Sequence, residues 1–358
     1  MTDVANFTAR VLPALAGRVA LTLWTDQPNY DKRLERHADV RIFSGLSKTE
    51  FSSGRTNVFN LGNNRAFHKN ILRLCRTQSG IIILHDLFLP NLIPRMRREI
   101  LAALRVSPDK QANVLRQRAL ANALGVIVHT RAAFETLRHE IDCPVRFQPL
   151  PYLASERKPA RPTRTTLPIR LVAFGFLGSN RRLESTLRAL HTYPRKKVFH
   201  LDIYGVVPKA RAIRRLIRKL DLDESVTLHG FVSEADLNQA LDIADLAINL
   251  RYPTMGEASG SQLRLWDHAL PSLVTPVGWY AELPPGTAGC VDPKNEIGDL
   301  HAHFDKLQQE PDFYRRMGER GRATLIADHR PDAYADALLN LVRQASPDVQ
   351  ADPPLPVT

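Results

Sequence analysis

Cysteine is scarce in this chain of 358 residues. Its three cysteines, Cys75, Cys143 and Cys290, lie far apart and do not have the spacing of metal ligands. So small and unclustered a set argues against a disulfide framework and is typical of a reducing compartment. No apolar run approaches the ~20 residues that a membrane-spanning helix needs. The N-terminal segment also lacks the charged start and continuous apolar stretch of a secretory signal. We therefore expect a cytoplasmic protein.

Acidic residues are too few to balance the basic ones, with 37 aspartates and glutamates against 49 lysines and arginines and a net charge of +12. This excess indicates an acidic partner: a nucleoside diphosphate, a lipid phosphate, an anionic membrane or nucleic acid. The basic residues are dispersed over predicted helices, at Arg95, Arg97, Arg98, Arg211, Arg214, Arg215, Arg218 and Lys219. Solvated helix faces are the favoured interpretation, and a peripheral contact with the inner face of the membrane comes second. Nucleic acid is least favoured, because zinc-finger spacing and an aromatic platform for single strands are both missing.

Short apolar runs alternate with longer helical patterns, which is typical of α/β proteins with parallel sheets. In the first half, strands are predicted over 19–24, 57–60, 80–85 and 126–129, and helices over 65–76 and 97–120. Residues 151–168 are rich in proline and cationic residues and show almost no apolar periodicity. This composition predicts a linker between two domains.

The second half begins with a predicted strand over 169–176 and a helix in which Leu183, Leu187 and Leu190 recur at i, i+4 and i+7. Strand–helix units are predicted at 200–204 with 210–220, 225–229 with 234–243, and 246–250 with 262–269. A strand over 272–275 and helices over 297–307, 313–328 and 333–344 follow. Two Rossmann-like domains that face each other across a cleft are the expected architecture.

Ligands of open parallel sheets bind beyond the carboxyl ends of the strands, so binding and catalytic residues are expected in the strand-to-helix turns. In the turn over 175–182, Gly178 permits a tight turn, and Arg181 and Arg182 fall in the predicted first turn of the next helix. A helix N-terminus favours negative charge. Two arginines there therefore indicate a bound phosphate between them and the helix. The alternative is that both side chains point into water.

The turn over 251–262 also follows a strand and opens a helix. Its glycines allow close backbone approach to a ligand, and its serines offer hydroxyls and N–H groups at a helix start: Gly256, Ser259, Gly260 and Ser261. Arg251 lies on one side of this predicted phosphate cradle. A carboxylate beside a phosphate is repulsive, so Glu257 either binds something else, such as sugar hydroxyls, or is an ordinary capping residue.

Residues 226–284 resemble the donor domain of family 4 retaining glycosyltransferases, which have the GT-B fold. The similar segments are His229-Gly230-Phe231-Val232, Ala244-Asp245, the G-E-x-S-G-S loop over 256–261 and the V-G-W-x-x-E-L-P segment over 277–284. The first half is similar more loosely, in Asn60-Leu61-Gly62-Asn63-Asn64 with His68, in Leu84-His85-Asp86 and in Val128-His129-Thr130. The resemblance extends over residues 5–345.

The resemblance implies an acceptor-side N-terminal domain over 1–160 and a nucleotide-sugar donor domain over 161–330. It also implies a C-terminal helix over 331–346 that packs back on the first domain, with a flexible tail over 347–358. The implied activity is transfer of a sugar from a nucleotide-diphosphate sugar to a hydroxyl of a glycan or lipid-linked acceptor, in cell-surface polysaccharide or glycoconjugate assembly.

The resemblance also implies roles for single residues. Arg181 contacts the donor diphosphate together with the backbone over 259–261, Glu257 binds hydroxyls of the transferred sugar, and His85 reaches the donor sugar. We therefore take His85, Glu257 and Arg181 as catalytic candidates. The diphosphate candidates are Gly178, Arg181, Arg182, Arg251, Ser259, Gly260 and Ser261, and Phe231 and Val232 lie beside the nucleobase. The acceptor-side candidates are Asn63, Asn64, His68, Asp86 and His129, where the asparagines alternatively shape a turn and the histidines are alternatively structural.

Three departures from the family pattern bear on function. The second acid of the E-x7-E motif falls on Leu265, so a carboxylate for the ribose is missing, and Phe176 stands where an arginine is often found. The segment over 3–8 resembles the helix start that follows the family's first strand and glycine-rich loop. The N-terminal domain is therefore expected to lack that strand, because it is reduced or because the start codon is assigned too far downstream.

The expected transfer needs no covalent enzyme intermediate and no cofactor. Catalysis would depend on stabilising the departing diphosphate and on positioning the sugar and acceptor. No metal is expected, since the predicted strand-to-helix turns carry no Asp-x-Asp motif. The alternatives are a non-catalytic nucleotide-sugar-binding paralogue or partner subunit, a nucleotide-sugar epimerase and, last, a nucleic-acid-binding protein.

Overall fold

A computed structural model describes residues 3–43, 55–94, 108–156 and 167–345. The chain forms two compact units. Unit 1 comprises Met1–Leu153, Met255–Ala258 and His329–Thr358, and unit 2 comprises Ala154–Thr254 and Ser259–Asp328. Both are α/β with parallel sheets, as the sequence predicts. Within the described residues, no helix is long and apolar enough to cross a bilayer.

The described strands are β1 (Thr22–Thr25), β2 (Asp39–Ile42), β3 (Val58–Leu61), β4 (Gly80–Leu84), β5 (Ala123–Val128), β6 (Val145–Phe147), β7 (Ile169–Phe176), β8 (Phe199–Val206), β9 (Val226–Gly230), β10 (Leu246–Ile248), β11 (Ser272–Val274) and β12 (Gly289–Cys290). The described helices are α1 (Asp3–Leu15), α2 (Arg65–Cys75), α3 (Pro108–Leu120), α4 (Arg131–Leu137), α5 (Leu183–Thr192), α6 (Ala210–Lys219), α7 (Glu234–Ile243), α8 (Gly260–Asp267), α9 (Glu296–Gln309), α10 (Pro311–Asp328) and α11 (Pro331–Ala345).

Unit 1 contains a four-stranded parallel sheet in the order β3-β4-β5-β6 and a separate parallel pair, β1 and β2. Every residue of β4 is buried, which is why its sequence is a continuous apolar run rather than an alternating one. Helix α11 packs on α1 and on β5. A Cβ at Gly125 would lie 2.9 Å from the side chain of Leu341, so glycine permits this close approach of α11.

Unit 2 contains a six-stranded parallel sheet in the order β12-β11-β10-β7-β8-β9. Successive strands run outward from β7 to β9, and the chain then returns to the other side of β7 and runs from β10 to β12. The direction of winding therefore reverses between β7 and β10, which is the position where open α/β sheets bind their ligands. The main core packs α5, α6 and α9 on one face, with Leu187, Leu201 and Phe304 fully buried, and Leu241 of α7 and Leu265 of α8 cover the other face.

Most predicted elements are present with shifted ends, and two agree at every residue: the strand over 169–176 and the helix over 234–243. The strands β2, β6 and β12 were not predicted from the sequence. The predicted helix over 97–120 is described only from Pro108, and Arg95, Arg97, Arg98, most of the predicted linker and the predicted tail lie outside the described residues.

The division of the chain differs from the predicted domains in one respect. The predicted boundaries at 160 and 330 lie close to the observed changes after Leu153 and Asp328, but Met255–Ala258 belongs to unit 1 although its neighbours belong to unit 2. The described part of unit 1 begins with α1, and no described strand precedes this helix.

Candidate functional site

The first predicted phosphate turn has a different local structure from the one expected. Residues Ser179–Arg181 form a short 3-10 turn, Arg182 has a left-handed backbone with φ 55°, and α5 begins only at Leu183. The expectation that both arginines occupy the first turn of the helix is therefore wrong. The cause is local, since the backbone N–H groups of Arg181 and Arg182 donate to the carbonyls of Gly178 and Ser179 in the preceding turn.

The two arginines of this turn have separate environments. The side chain of Arg181 is only 8% exposed, and its Nη2 donates to Oδ1 of Asn249 at 2.6 Å. Arg182 instead forms a bidentate ion pair with Glu296, at 2.6 and 2.8 Å, and this raises the pKa of the arginine. A phosphate would have to compete with Glu296 for Arg182, whereas Asn249, one of the partners of Arg181, is a neutral amide.

The second predicted turn leads directly into α8, for which Ser259 is the N-terminal cap. The Oγ of Ser259 accepts from the backbone N–H of Gln262 at 3.2 Å and from the hydroxyl of Tyr280 at 2.9 Å. It also lies 2.9 Å from Oγ of Ser261. Arg251 donates its backbone N–H to Oγ1 of Thr275, and its guanidinium lies 5.7 Å from the ring centre of Tyr280.

The two turns of unit 2 meet at the carboxyl edge of its sheet, between β7 and β10. Oδ1 of Asn249 accepts from Arg181 of the first turn and from Oγ of Ser261 in the second, the latter at 3.2 Å. The backbone N–H of Tyr252 also donates to the carbonyl of Asn180 at 2.8 Å. The unit therefore gathers a buried guanidinium, serine hydroxyls and a helix N-terminus in one place, a combination suited to an anion.

Glu257 lies in the short loop Met255–Ala258, which belongs to unit 1. Its Oε2 accepts from the backbone N–H of Met255 at 2.7 Å, so the carboxylate does cap its own loop. Gly256 has φ +77°, and a Cβ there would lie 2.8 Å from Cβ of Leu87. Glycine at this position is thus required by a left-handed turn and by close packing inside unit 1.

Two of the histidine candidates of unit 1, the half-buried His85 and the buried His129, lie in an aromatic cluster. The ring of His85 lies 4.8 Å from that of Phe7 and 5.0 Å from that of His129, and its Nε2 is 3.3 Å from Oδ1 of Asn60. Burial lowers the pKa of His85 well below its usual value and that of His129 to about 4. Both rings are therefore neutral at physiological pH and can act only as neutral hydrogen-bonding groups.

His129 is held firmly in this cluster. Its Nδ1 faces the carbonyl of Gln148 at 3.0 Å, so the neutral ring carries its proton there. Its Nε2 is buried and has no hydrogen-bond partner among the described residues. The ring centre of Tyr334, on α11, lies 5.7 Å away.

The remaining acceptor-side candidates lie together at the ends of β3 and β4 and shape the backbone there. Asn64 caps α2, and the side-chain oxygen of Asn63 accepts from the backbone of Asn91 at 2.8 Å. Asp86 accepts from the backbone N–H of Asn63 at 2.7 Å. His68 is buried, with Nδ1 within 3.2 Å of the backbone at Asn60 and Gly62. These contacts match the turn-shaping and structural alternatives, and any contact with an acceptor stays a prediction.

The segment predicted beside the nucleobase follows β9. Phe231 is 84% exposed, and Val232 is half-buried. Just before it, the ring of His229 stacks on Tyr204 at 4.2 Å and its Nε2 lies 2.7 Å from Oδ1 of Asp202. An exposed phenylalanine at the carboxyl edge provides a free aromatic face for a flat ligand.

Sequence reasoning missed Asn249, Gln262, Tyr280 and Glu296 as parts of this site. Asn249 could have been identified from the sequence, because it is a polar residue near the end of the apolar run 246–250. Tyr280 and Glu296 gave no such signal, since their partners Ser259 and Arg182 are far away in sequence.

No family model and no curated protein matches this sequence. Solved structures do match. They include the HepE protein of Anabaena in complex with UDP (TM-score 0.70, 12% identity, 95% of each chain covered) and WaaG, described as a glycosyltransferase involved in lipopolysaccharide biosynthesis (0.62, 16%, 94% of this chain and 95% of that chain). Sucrose-phosphate synthase from Thermosynechococcus elongatus also matches (0.60, 18%, 80% of this chain and 72% of that chain). At such identities the likeness shows the fold, which is that of the GT-B glycosyltransferases.

Proposed function

We propose that this protein is a retaining glycosyltransferase that moves a sugar from a nucleotide-diphosphate sugar to a hydroxyl acceptor in glycan or glycoconjugate assembly. The observation that carries the proposal is the meeting of two turns around Asn249, where Arg181, Ser261 and the start of α8 come together between β7 and β10. The UDP bound by HepE supports a nucleotide as the ligand of such a fold.

The proposed reaction uses this edge to stabilise the leaving diphosphate. As the bond between sugar and phosphate breaks, negative charge grows on the phosphate oxygens, and a preorganised guanidinium and helix N-terminus stabilise it. Arg181, Arg251 and the N–H groups over 259–261 take this role. Glu257 binds sugar hydroxyls, and His85, neutral because it is buried, donates or accepts one hydrogen bond to the sugar. The acceptor hydroxyl attacks on the face from which the diphosphate leaves.

We further propose that turnover needs no metal or other cofactor, since cationic side chains and backbone N–H groups take the charge of the leaving group. The one Asp-x-Asp spacing, Asp221-Leu222-Asp223, lies between α6 and β9, at the opposite end of the strands from the proposed site. Turnover is expected to survive a chelator. Loss in EDTA with recovery in Mn²⁺ or Mg²⁺ would contradict this.

A thermal-shift screen of nucleotide sugars tests the function. A sugar donor that binds the folded protein raises its melting temperature by mass action. Glu257→Gln is the informative variant because the amide oxygen can still accept from Met255, as the carboxylate does. We expect the variant to lose the extra stabilisation given by the nucleotide sugar over the bare nucleoside diphosphate. A wild-type protein that responds to no nucleotide or nucleotide sugar would refute the proposal.

A non-catalytic nucleotide-sugar-binding paralogue or partner subunit is the second candidate. Leu265 stands at the position of the family's ribose-binding acid. Its side chain is apolar and fully buried in the core of unit 2, so it cannot bind a ribose hydroxyl. Donor binding without release of nucleoside diphosphate, in the presence or absence of acceptors, would favour this candidate.

A peripheral contact with an anionic membrane is proposed through helix α6. Ile213 and Ile217 on one side of this helix are buried. The five cations of the helix are exposed, and none of them forms an ion pair within the described residues; they are Arg211, Arg214, Arg215, Arg218 and Lys219. By contrast, Arg315 on α10 pairs with Asp312 and Glu319. Each cation near an anionic surface contributes about 1 kcal/mol.

Sedimentation with vesicles tests this contact. The triple variant Arg211→Gln, Arg214→Gln, Arg218→Gln is expected to bind vesicles of 30% phosphatidylglycerol about tenfold or more weakly. Replacing Arg73, Arg76 and Arg118, which are exposed on unit 1, removes the same charge and serves as the control. Equal losses in both variants would contradict docking through α6.

A further inference from the structure

A chain of buried polar side chains runs inward from Arg181 in unit 2. Asn249 Oδ1 accepts from Arg181, and its Nδ2 donates to Oε1 of Gln262 at 2.8 Å. Nε2 of Gln262 in turn donates to Oγ of Ser272, on β11, at 2.7 Å. Asn249 is 2% exposed, and Gln262 and Ser272 are fully buried. Hydrogen bonds in such surroundings are costly to break, because a buried polar group left without a partner cannot recover a hydrogen bond from water.

The direction of every bond in this chain follows from Arg181. A guanidinium can only donate hydrogen bonds, so the amide oxygen of Asn249 must face it and the amide nitrogen must face away. That nitrogen needs an acceptor, which Gln262 supplies only if its own nitrogen faces Ser272. Turning either amide around would place donor against donor. The chain therefore fixes the amide oxygen of Asn249 towards Arg181 and so holds the guanidinium in one orientation.

Asn249 is also the point where the two turns are joined. The same oxygen that accepts from Arg181 accepts from Ser261, in the first turn of α8. Because it is a neutral amide, it orients the guanidinium without adding negative charge. An aspartate at the same position would accept the same two hydrogen bonds but would form an ion pair with Arg181 and repel an incoming phosphate.

We propose that Asn249 is a positioning residue for diphosphate recognition, which couples Arg181 to the start of α8 through a neutral amide. Gln262 and Ser272 secure the orientation of its amide. This inference rests on the proposed function, since it assigns a further residue to the same site.

Binding of UDP, uridine and inorganic pyrophosphate, measured by calorimetry, tests the proposal. The ratio of the UDP affinity to the uridine affinity reports the contribution of the phosphates alone, and a merely structural loss would lower both affinities together. In Asn249→Asp we expect this ratio to fall at least about tenfold, because a charge-assisted contact is weakened. Pyrophosphate binding is expected to fall by a similar factor.

The chain offers a matched control in Asn238, whose Oδ1 accepts from Arg264 at 2.7 Å between α7 and α8. Asn238→Asp also places an aspartate beside an arginine, one that already pairs with Glu234, away from the two turns, and the ratio is expected to stay within about twofold. If Asn249→Asp does not fold, Gln262→Met serves instead, since it removes the acceptor that orients the amide of Asn249, and the ratio is expected to fall in the same direction.

The outcomes separate the inference from the function on which it rests. A wild-type protein that binds UDP much better than uridine, with an unchanged ratio in the folded Asn249→Asp or Gln262→Met variant, would overturn the role of Asn249. A wild-type protein that binds neither UDP nor pyrophosphate would instead refute the proposed function.

Discussion

The carboxyl edge of the sheet in unit 1 carries histidines and asparagines, whereas the corresponding edge in unit 2 carries arginines and serines. Both edges bury their polar groups, but with opposite results. Burial drives the protons off His85 and His129, which become neutral. Arg181 is also buried, at 8% exposed, and keeps its charge, because a guanidinium does not give up its proton in proteins.

In the proposed function, this contrast suits the two edges to different kinds of chemical group. A cation beside a helix N-terminus suits the diphosphate of a donor. Neutral imidazoles and turn-shaping amides suit hydroxyl groups, which carry no charge. Both edges remove their polar side chains from water. The proton affinity of each side chain then decides whether it stays charged, and therefore whether the edge attracts anions.

The largest expected effect comes from removing the buried cation of unit 2. Arg181→Gln is expected to lower the affinity for UDP by about 10- to 100-fold, since a hydrogen bond to a charged group contributes about 1.5–3 kcal/mol. Arg264→Gln, which removes an arginine paired with Glu234, is the control. Calorimetry should show less than about a twofold change for the control. Equal losses would mean that overall positive charge, rather than this edge, attracts the ligand.

A second prediction concerns the neutral histidines of unit 1. The pKa of His129 lies at about 4 in the folded protein and near 6.5 when unfolded, so between these values the unfolded chain binds more protons. The neutral form of His129 therefore stabilises the folded protein fully above pH 6.5, and this contribution to the free energy of unfolding is lost as the pH falls towards 4. At pH 5 the loss from this group is about 2 kcal/mol.

His129→Asn tests this prediction, because asparagine can still donate to Gln148 but does not titrate. Urea unfolding at pH 7 and pH 5 is expected to show a loss of free energy of unfolding that is about 2 kcal/mol smaller in the variant than in the wild type. The same loss in both proteins would mean that the His129 ring is hydrated and not buried as described.

The smallest effect compares two helix caps, one in each unit. Ser259 caps α8 and Thr130 caps α4, each through a side-chain oxygen and both buried. Ser259→Ala and Thr130→Ala are each expected to cost about 1 kcal/mol of unfolding free energy. Only Ser259→Ala should also weaken UDP binding, because Ser259 lies beside Ser261 at the proposed phosphate site. A binding loss of equal size in Thr130→Ala would remove the distinction between the two edges.

Several parts of this picture could be predicted from local sequence. The run 169–176 is apolar and β-branched enough to form a buried strand, and cations beside glycines and serines at two strand-to-helix turns marked Arg181 and Ser259. The partners of these residues could not be predicted. Arg182 pairs with Glu296, and Tyr280 donates to Ser259, across separations that leave no periodic signal.

The amino-acid sequence by itself determined the alternation of strands and helices, the α/β class and the two turns rich in glycine, serine and arginine, because periodicity and turn chemistry act between near neighbours. Only the tertiary structure decided which arginine is held by Asn249 and which by Glu296, that Met255–Ala258 belongs with unit 1, and that the histidines are neutral. These outcomes depend on burial and on contacts between residues far apart in the chain, and both exist only once the strands have been ordered into sheets.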